Sequence, residues 1–439
     1  MRSKYLIGDI ADINSESLKK HHALNTIQYL DTSSVTENRF DEAELLDASK
    51  APSRAKRIVR DKDIIISTVR PNLKHFGFIQ KPDDNLIVST GFAVIRCNDT
   101  IVDPRYMYFY LSLNKTTDCL ASIAEGSTTA YPSIKPSVIA SIEVELPPLP
   151  TQKKISYILS TLDDKIELNR KMNETLESMA QAIFKSWFVD FDLVHAKAGA
   201  SSEDELDKAA KDLGISREVL DLFPSEFEES ELGMIPKGWN ISSIKDNLDV
   251  ILGGTPSRSN DSFWTDGAVS WINSGKVNEF RIIECSENIT EEAVRKSSTK
   301  LLPKKTTVLA ITGATLGQVS LLEIDSCANQ SVIGLPETLD LNHSFIYPCI
   351  CNSIKELISH QTGGAQQHIN KGNVEDFKIV TPEQNLLSKY VDIAKPWMDL
   401  VSNNCFENQT LQKTRDTLLS KLLSGELDVS ELELDNVTH

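Results

Sequence analysis

The sequence predicts an α+β protein: two mixed-sheet domains related by a pseudo-two-fold axis and separated by a pair of long antiparallel helices. Three observations lead there. The first is an internal repeat. A block from about Pro147 to Phe188 returns 235 positions later without a gap. Pro147 then meets Pro382, Asp164 meets Asp399 and Asn169 meets Asn404, while Asn173, Thr175 and Leu176 meet Asn408, Thr410 and Leu411. Apolar character is kept at Ile155/Tyr390, Ile158/Ile393, Leu162/Trp397, Ile166/Val401 and Ile183/Leu418. A period this long means two large similar halves rather than a solenoid. The second observation is that short apolar runs between turn signals fill 1–146 and 236–380 in the same order. The third is helical periodicity in the repeated block itself.

The elements follow in chain order. Residues 1–150 form the first globular domain. Asp63–Val69 and Gly91–Arg96 read as strands, Pro104–Asn114 as a buried helix, and Ile142–Leu146 as an alternating strand ended by Pro147, Pro148 and Pro150. Residues 151–189 are helical. Apolar side chains at 162, 166, 172, 176, 179, 183 and 187 mix three- and four-residue spacing, the seam of a packed helix pair. Thr161 with Asp164 three residues on predicts an N-cap. Pro396, near the matching register, fits a first helical position. Short helices over about 151–160 and 383–394 are expected ahead of these starts. Residues 190–235 are an acidic linker whose Leu222, Phe223 and Phe227 should pack on something. The second globular domain, 236–381, has strands at Thr307–Ile311, Ser331–Leu335 and Phe377–Val380, and a helix over Phe345–Ile358. A second helical region, 382–425, and an acidic tail, 426–439, complete the chain. The two long helices are expected to cross near Leu176 and Leu411, where the repeat is most faithful. A helix of about 27 residues spans ~40 Å, about one turn of DNA.

The chain has 439 residues and a formal net charge of −17. At first sight that excludes a nucleic-acid binder, but the acidity is unevenly placed. Residues 1–150 carry a net −1 and 236–380 a net −3, against −8 for 151–235 and −5 for 381–439. The two globular domains are near neutral, so each has room for a basic face. No apolar run is long enough to span a membrane. Seven scattered cysteines without a CxxC fit reduced thiols in a cytoplasmic protein.

No catalytic constellation is present in the sequence. Gly275–Lys276 lacks the upstream glycine of a phosphate-binding loop, and Gly313–Gly317 lacks its lysine. There is no GxGxxG and no HExxH. Asp163–Asp164 reads as a helix-start feature. Polar loops remain, repeated in both halves. Thr68, Arg70 and Lys74, running on to His75, follow a strand; Ile311–Gln318, with Thr315, takes the equivalent place. Gly126–Tyr131, with Thr128 and Tyr131, has its counterpart in Gly363–Asn370, with Gln366, Gln367, His368 and Asn370. Arg54, Lys56, Arg57 and Arg60 form the densest basic run. Gly253–Arg258, with Gly254, Thr255, Ser257 and Arg258, is a turn or a phosphate-contacting loop, and Lys276 lies beyond it. Arg, Gln, Asn, Ser and Thr pair with base edges, while Lys and backbone amides near glycine serve phosphates. Ordinary solvated loops are the plain alternative. Trp264 and Trp271 read as core side chains first and contacts second.

Trp187–Phe191, Ser230–Trp239, Gly253–Arg258 and Leu418–Glu426 carry a resemblance. In these runs the chain resembles the DNA-specificity subunit of type I restriction–modification systems, over nearly its whole length. The resemblance implies that each globular part is a target recognition domain reading one half of a split, asymmetric site in double-stranded DNA. It implies that the helices space the domains and dock two methyltransferase subunits, with motor and nuclease subunits joining the larger complex. It also implies a non-catalytic chain, with S-adenosylmethionine, ATP and Mg²⁺ belonging to partners. Thr68–His75 shares little with 311–318, so the two half-sites should differ. The rival is a protein-only scaffold holding two adaptor domains without DNA contact, which the net charge favours.

Overall fold

The computed structural model of the protein describes residues 2–19, 24–126, 132–359 and 368–433. The chain divides into two compact units, residues 1–166 with 410–439, and residues 167–409.

In the first unit an antiparallel pair joins Ser3–Leu6 to Glu143–Leu146. A four-stranded sheet runs in the order Ala11–Ile13, Phe92–Cys97, Ile64–Ser67, Phe76–Phe78. A second runs Glu44–Asp47, Thr26–Leu30, Leu86–Ser89, Ala55–Ile58. Its central pair is parallel and its outer pairs are antiparallel. Strand side chains alternate between faces, and both faces of Ile64–Ser67 are covered. Ile64, Ile66, Ala93 and Ile95 pack with Tyr106, Met107 and Phe109 of the helix Pro104–Ser112. Ile65, Phe92 and Val94 pack the other way, with Leu30 and Val88 of the second sheet. Asp103 caps that helix, accepting from the Tyr106 amide, and Pro104 takes its first position.

The second unit repeats this plan. Asn240–Ser243 pairs with Lys378–Thr381. One sheet runs Ile251–Leu252, Val332–Leu335, Thr307–Ala310, Val319–Leu321. The other runs Glu287–Ile289, Val269–Ile272, Ser326–Ala328, Leu301–Leu302, again with a parallel central pair. Strand order and direction match those of the first unit sheet for sheet, so the two domains share one fold. The helix His343–Ser359 covers the sheet face formed by Leu309, Ile311, Ile333 and Leu335. The segment expected as a linker folds into the helices Asp192–Gly199, Glu203–Asp212 and Arg217–Asp221 and a hairpin from Phe227 to Pro236. Leu193, Leu220 and Phe223 are buried in the second domain's main core, with Leu222 and Phe227 partly so.

Two long helices complete the chain, Leu149–Phe188 and Gln384–Ser424. Each is continuous, which corrects the expected short leading helices. Thr161 is no N-cap: its hydroxyl donates back to the Tyr157 carbonyl inside the helix. Pro396 likewise lies within a helix. The physical reason is that the leading turns are packed into the domain cores, by Ile155 and Leu159 in one unit and by Leu386, Leu387, Tyr390 and Ala394 in the other. Gln152 pins the first helix start, accepting from the Asp103 amide and donating to the carbonyls of Ile101 and Pro147.

Each core also takes in the far end of the other repeat's helix. Leu419, Leu422 and Leu423 are buried with the first domain. Phe184, Trp187 and Phe188 are buried with the second, where Phe188 lies edge-on to Tyr390 at 5.0 Å. Among the described residues no helix is long and apolar enough to cross a membrane.

Candidate functional site

Corresponding loops meet in each domain, held by matching backbone hydrogen bonds. In the first domain the Thr68 amide donates to the Gly91 carbonyl, and the Ile134 amide to the Thr68 carbonyl. In the second, Ile311 donates to Ser331, and Ile369 to Ile311. After the first strand of each parallel pair, Asp31 and Asn273 each cap a 3₁₀ turn. The expected equivalence of Thr68–His75 with 311–318 therefore rests on a common backbone frame. The short turn inside it, Pro71–Leu73 in one domain and Gly313–Thr315 in the other, shows where they diverge. Arg70 and Lys74 have φ of 48° and 54°, where the second domain has Gly313 and Gly317 at 71° and 84°. Left-handed backbone costs a non-glycine residue roughly 1–2 kcal/mol. The first domain thus holds two cations at positions that favour glycine, and such strain gathers at functional sites.

The first domain's candidates lie in connected loops. The Arg54 guanidinium pairs with Asp31 at 3.1 Å, and its carbonyl accepts from Thr90, beside Gly91. Lys74 pairs with Glu37 at 3.1 Å. The Thr68 hydroxyl is turned inward, donating to the Gly91 carbonyl, so this side chain holds the frame and presents little to a ligand. Lys56 is exposed on the strand Ala55–Ile58. Arg57 on that strand donates to Ser17, and its buried Nε finds no partner. Arg60 and Arg96 both hold Glu16, and Arg96 forks onto buried Asp63. Thr128 and Tyr131, like Gln366 and Gln367 of the second domain, lie outside the described residues.

In the second domain Gly253 and Gly254 are required by close approach. A Cβ on Gly253 would stand 2.1 Å from the Asn329 carbonyl, and one on Gly254 2.7 Å from Ser298 backbone. This wedge fixes the loop that follows. The Thr255 hydroxyl donates to Gln330, Ser257 bonds Ser259, and the indole N–H groups of Trp264 and Trp271 donate to the carbonyls of Ser257 and Gly254. Arg258 lies 3.6 Å over the Trp264 ring and forks onto Glu287 at 2.6 and 2.8 Å. Its guanidinium beside Glu287 holds that carboxyl below its ordinary range. Trp271 is core, and half-buried Trp264 packs against the same cluster, as the core reading expects.

Lys276, 15% exposed, is clasped by Glu279 and Glu284 at 2.7 and 3.2 Å. The Thr315 hydroxyl donates to the Thr312 carbonyl. Asn370 caps the helix Lys371–Asp376 in a reciprocal capping box with Asn373, so its side chain is committed to the fold. His368 is exposed beside it. Arg54, Lys74, Arg258 and Lys276 thus all face carboxylates. The exposed pairs among these, those of Arg54, Lys74 and Arg258, are each worth only ~0–1 kcal/mol.

The helices carry polar groups that the apolar seam did not reveal. Asn169 is 0% exposed and donates to Glu407 and Asn408. Asn173 accepts from Asn404 at 2.8 Å. These contacts are copies of each other, because Asn404 repeats Asn169 and Asn408 repeats Asn173. They show an antiparallel pair and correct the crossing point. The positions in each Asn–Asn pair add to the same value, so with the 235-residue offset the copies meet at 171 and 406, not at Leu176 and Leu411. The Asn169/Asn404 and Asn173/Asn408 identities come from exchanged partners on either side of that point. Leu168, Met172 and Met179 of the first helix are exposed.

Each domain is also tied to the helices by charge. Arg105 reaches Asp164 at 3.0 Å, and Arg415 reaches Asp163 at 2.9 Å. In the second unit, fully buried Arg281 meets Glu177 at 2.6 Å, and Lys305 meets Glu323 and Asp399 at 2.8 and 3.6 Å. The repeated carboxylates Asp164 and Asp399 therefore do the same task, each receiving a cation from its own unit's domain. The seven cysteines are unpaired, and burial pushes the thiols of Cys97, Cys349 and Cys351 up to about 12, so these three stay protonated. Among the described residues no cluster of His, Cys, Asp and Glu could hold a metal ion.

The family model for the type I restriction modification DNA specificity domain matches residues 4–178 and again 236–395. The specificity subunit of the type I restriction enzyme HindI from Haemophilus influenzae is 30% identical, covering 97% of this chain and 99% of that one. The MjaIX specificity subunit of Methanocaldococcus jannaschii is 28% identical over 87% of this chain and 82% of its own. Among solved structures, the type I restriction–modification S subunit from M. genitalium aligns with a TM-score of 0.54 at 14% identity, covering 96% of each chain.

Proposed function

Because the chain belongs to the family of type I restriction–modification DNA specificity subunits, we propose that it reads a bipartite, asymmetric DNA site, one half with each sheet domain, and directs methyltransferase and restriction subunits to it. The family confers DNA sequence specificity, works in complexes with other subunits, and is in general non-catalytic. The observation that carries the finer reading is one loop frame filled with two side-chain sets. Arg70 and Lys74 stand in the first domain where Gly313 and Gly317 stand in the second, while Arg258 on its tryptophan is found in the second. Two copies of one scaffold with different loops suit two different half-sites.

In this reading the phosphate contacts come from exposed Lys56 and, after exchange of their carboxylate partners, from Lys74 and Arg54, and base contacts come from Arg70, Arg258 and the polar loop side chains. The methyl donor S-adenosylmethionine, ATP and Mg²⁺ are held by partner subunits, two of them methyltransferases, in the cytoplasm. Selection from a randomised duplex library tests it, with the chain alone and with methyltransferase subunits. Two specified blocks around an unspecified spacer of fixed length are expected. If no duplex is enriched under either condition, the chain is a protein-only scaffold.

A further inference from the structure

Arg258 differs from the other candidate cations in how completely it is held. Its loop is wedged by Gly253 and Gly254 against the backbone at 298–299 and 328–329. Two indole N–H groups tie the carbonyls of Gly254 and Ser257. The guanidinium is stacked at 3.6 Å from the Trp264 ring centre and lies 5.1 Å from that of Trp271. Its two terminal nitrogens meet the two oxygens of one carboxylate, Glu287, at 2.6 and 2.8 Å. Both side chains remain about half open to solvent, at 52% and 44%. A planar, stacked guanidinium loses little further freedom when it binds. A fork that already fits two oxygens side by side also fits two acceptors on one base edge. In the major groove, guanine offers that edge through O6 and N7.

We propose that Arg258 reads a guanine in the half-site bound by the second domain, and that Glu287 is its selectivity gate. The inference rests on the DNA-reading function proposed above. In the free chain Glu287 fills the fork and cancels its charge; a phosphate, though its two oxygens also fit the fork, displaces the carboxylate only to leave Glu287 unpaired beside a second anion. Guanine replaces both contacts at once. Glu287, released, stands ready to accept from the N4 amino group of the paired cytosine, the base donor that carboxylates favour. The gate thus lowers affinity for DNA in general and leaves affinity for the right base.

The test uses the full chain with its methyltransferase subunits and fluorescent duplexes. These carry each of the four base pairs at every position of the second half-site. Wild type should prefer guanine at one position by about 5- to 150-fold, the range that ~1–3 kcal/mol represents. R258K keeps the charge and loses the planar fork; it should weaken the preference at that position, since lysine also reaches O6 and N7, whereas R258Q should abolish it, both leaving the other positions intact. E287Q should tighten binding to all duplexes and steepen the salt dependence by about one phosphate contact. R258Q, matched to wild type by thermal melting, separates loss of reading from loss of fold. An unchanged guanine preference in R258Q overturns the guanine assignment. Uniform weakening across all duplexes also overturns it, marking a phosphate contact, yet leaves DNA recognition standing. Absence of binding by wild type to any duplex removes both readings together.

Discussion

Arg281→Met should loosen the second domain from its helices. The side chain is 0% exposed, with Nη2 2.6 Å from Glu177 of the first long helix and Nη1 donating to the Phe280 carbonyl at 2.8 Å and the Tyr347 hydroxyl at 3.3 Å. Its guanidinium also lies over the rings of Phe280 and Tyr347 at 4.5 and 4.6 Å. Removing one member of a buried pair costs about 3–5 kcal/mol, because the other charge stays buried and unpaired. Glu177 retains some solvent contact, and Glu323 keeps Lys305 at 2.8 Å, so the lower end, ~3 kcal/mol, is expected. For a unit of this size that corresponds to a fall in Tm of roughly 6–12 °C. All five tryptophans, Trp187, Trp239, Trp264, Trp271 and Trp397, lie in the second unit, so intrinsic fluorescence follows its unfolding alone. Arg281→Met with Glu177→Leu should recover part of the loss, since an apolar pair removes the stranded charge. A single variant within ~0.5 kcal/mol of wild type, or a double variant whose loss is the plain sum of the singles, would refute the reasoning.

Asn169→Leu removes two hydrogen bonds, one of them to the Glu407 carboxylate, and should cost about 1–3 kcal/mol by denaturant titration; a gain in stability would show that the polar centre is not stabilising. Gly253→Ala drives a Cβ into the Asn329 carbonyl and should cost at least ~1–3 kcal/mol, with loss of half-site preference in the same duplex panel. Lys74→Gly relieves left-handed strain while removing one exposed ion pair. Stability should therefore hold within ~1 kcal/mol while binding weakens alike for all sequences and the salt slope flattens by about one. Glu287 is held below its ordinary 4.5 by Arg258. Its stabilising contribution is present above that value and is lost as pH falls through the depressed one, so wild type and E287Q should converge in Tm as pH drops below about 4.5. A constant difference down to pH 3 would contradict the pairing.

The parts of the fold legible in the sequence were those with period or repetition. Ile64–Ser67, Phe92–Cys97 and Val332–Leu335 are apolar runs bounded by turns, and the 235-residue offset carried the domain plan. Helix starts were misread because Thr161 and Pro396 have local meanings that tertiary packing overrode. The fidelity of the repeat points to a centre near Leu176, but the asparagines do not meet their own copies: Asn169 meets Asn408 and Asn173 meets Asn404, which moves the centre to 171. Pairs distant in sequence, such as Arg281 with Glu177 or Arg258 with Glu287, leave no local pattern. The glycines at 253, 254, 313 and 317 were visible, but not that Arg70 and Lys74 occupy the backbone of the last two.

The sharing of helix ends between repeats bears on how the protein is made. Synthesis runs from the N-terminus, and domains generally fold as units while it proceeds. Here the first domain's core lacks Leu419, Leu422 and Leu423 until the whole second repeat has been made. Arg2 likewise waits for the carbonyl of Leu423. The second unit spans residues 167–409 and so has all its own residues earlier. The later-made unit can therefore close first, while the earlier-made domain stays open for a partner, a chaperone or a protease to meet.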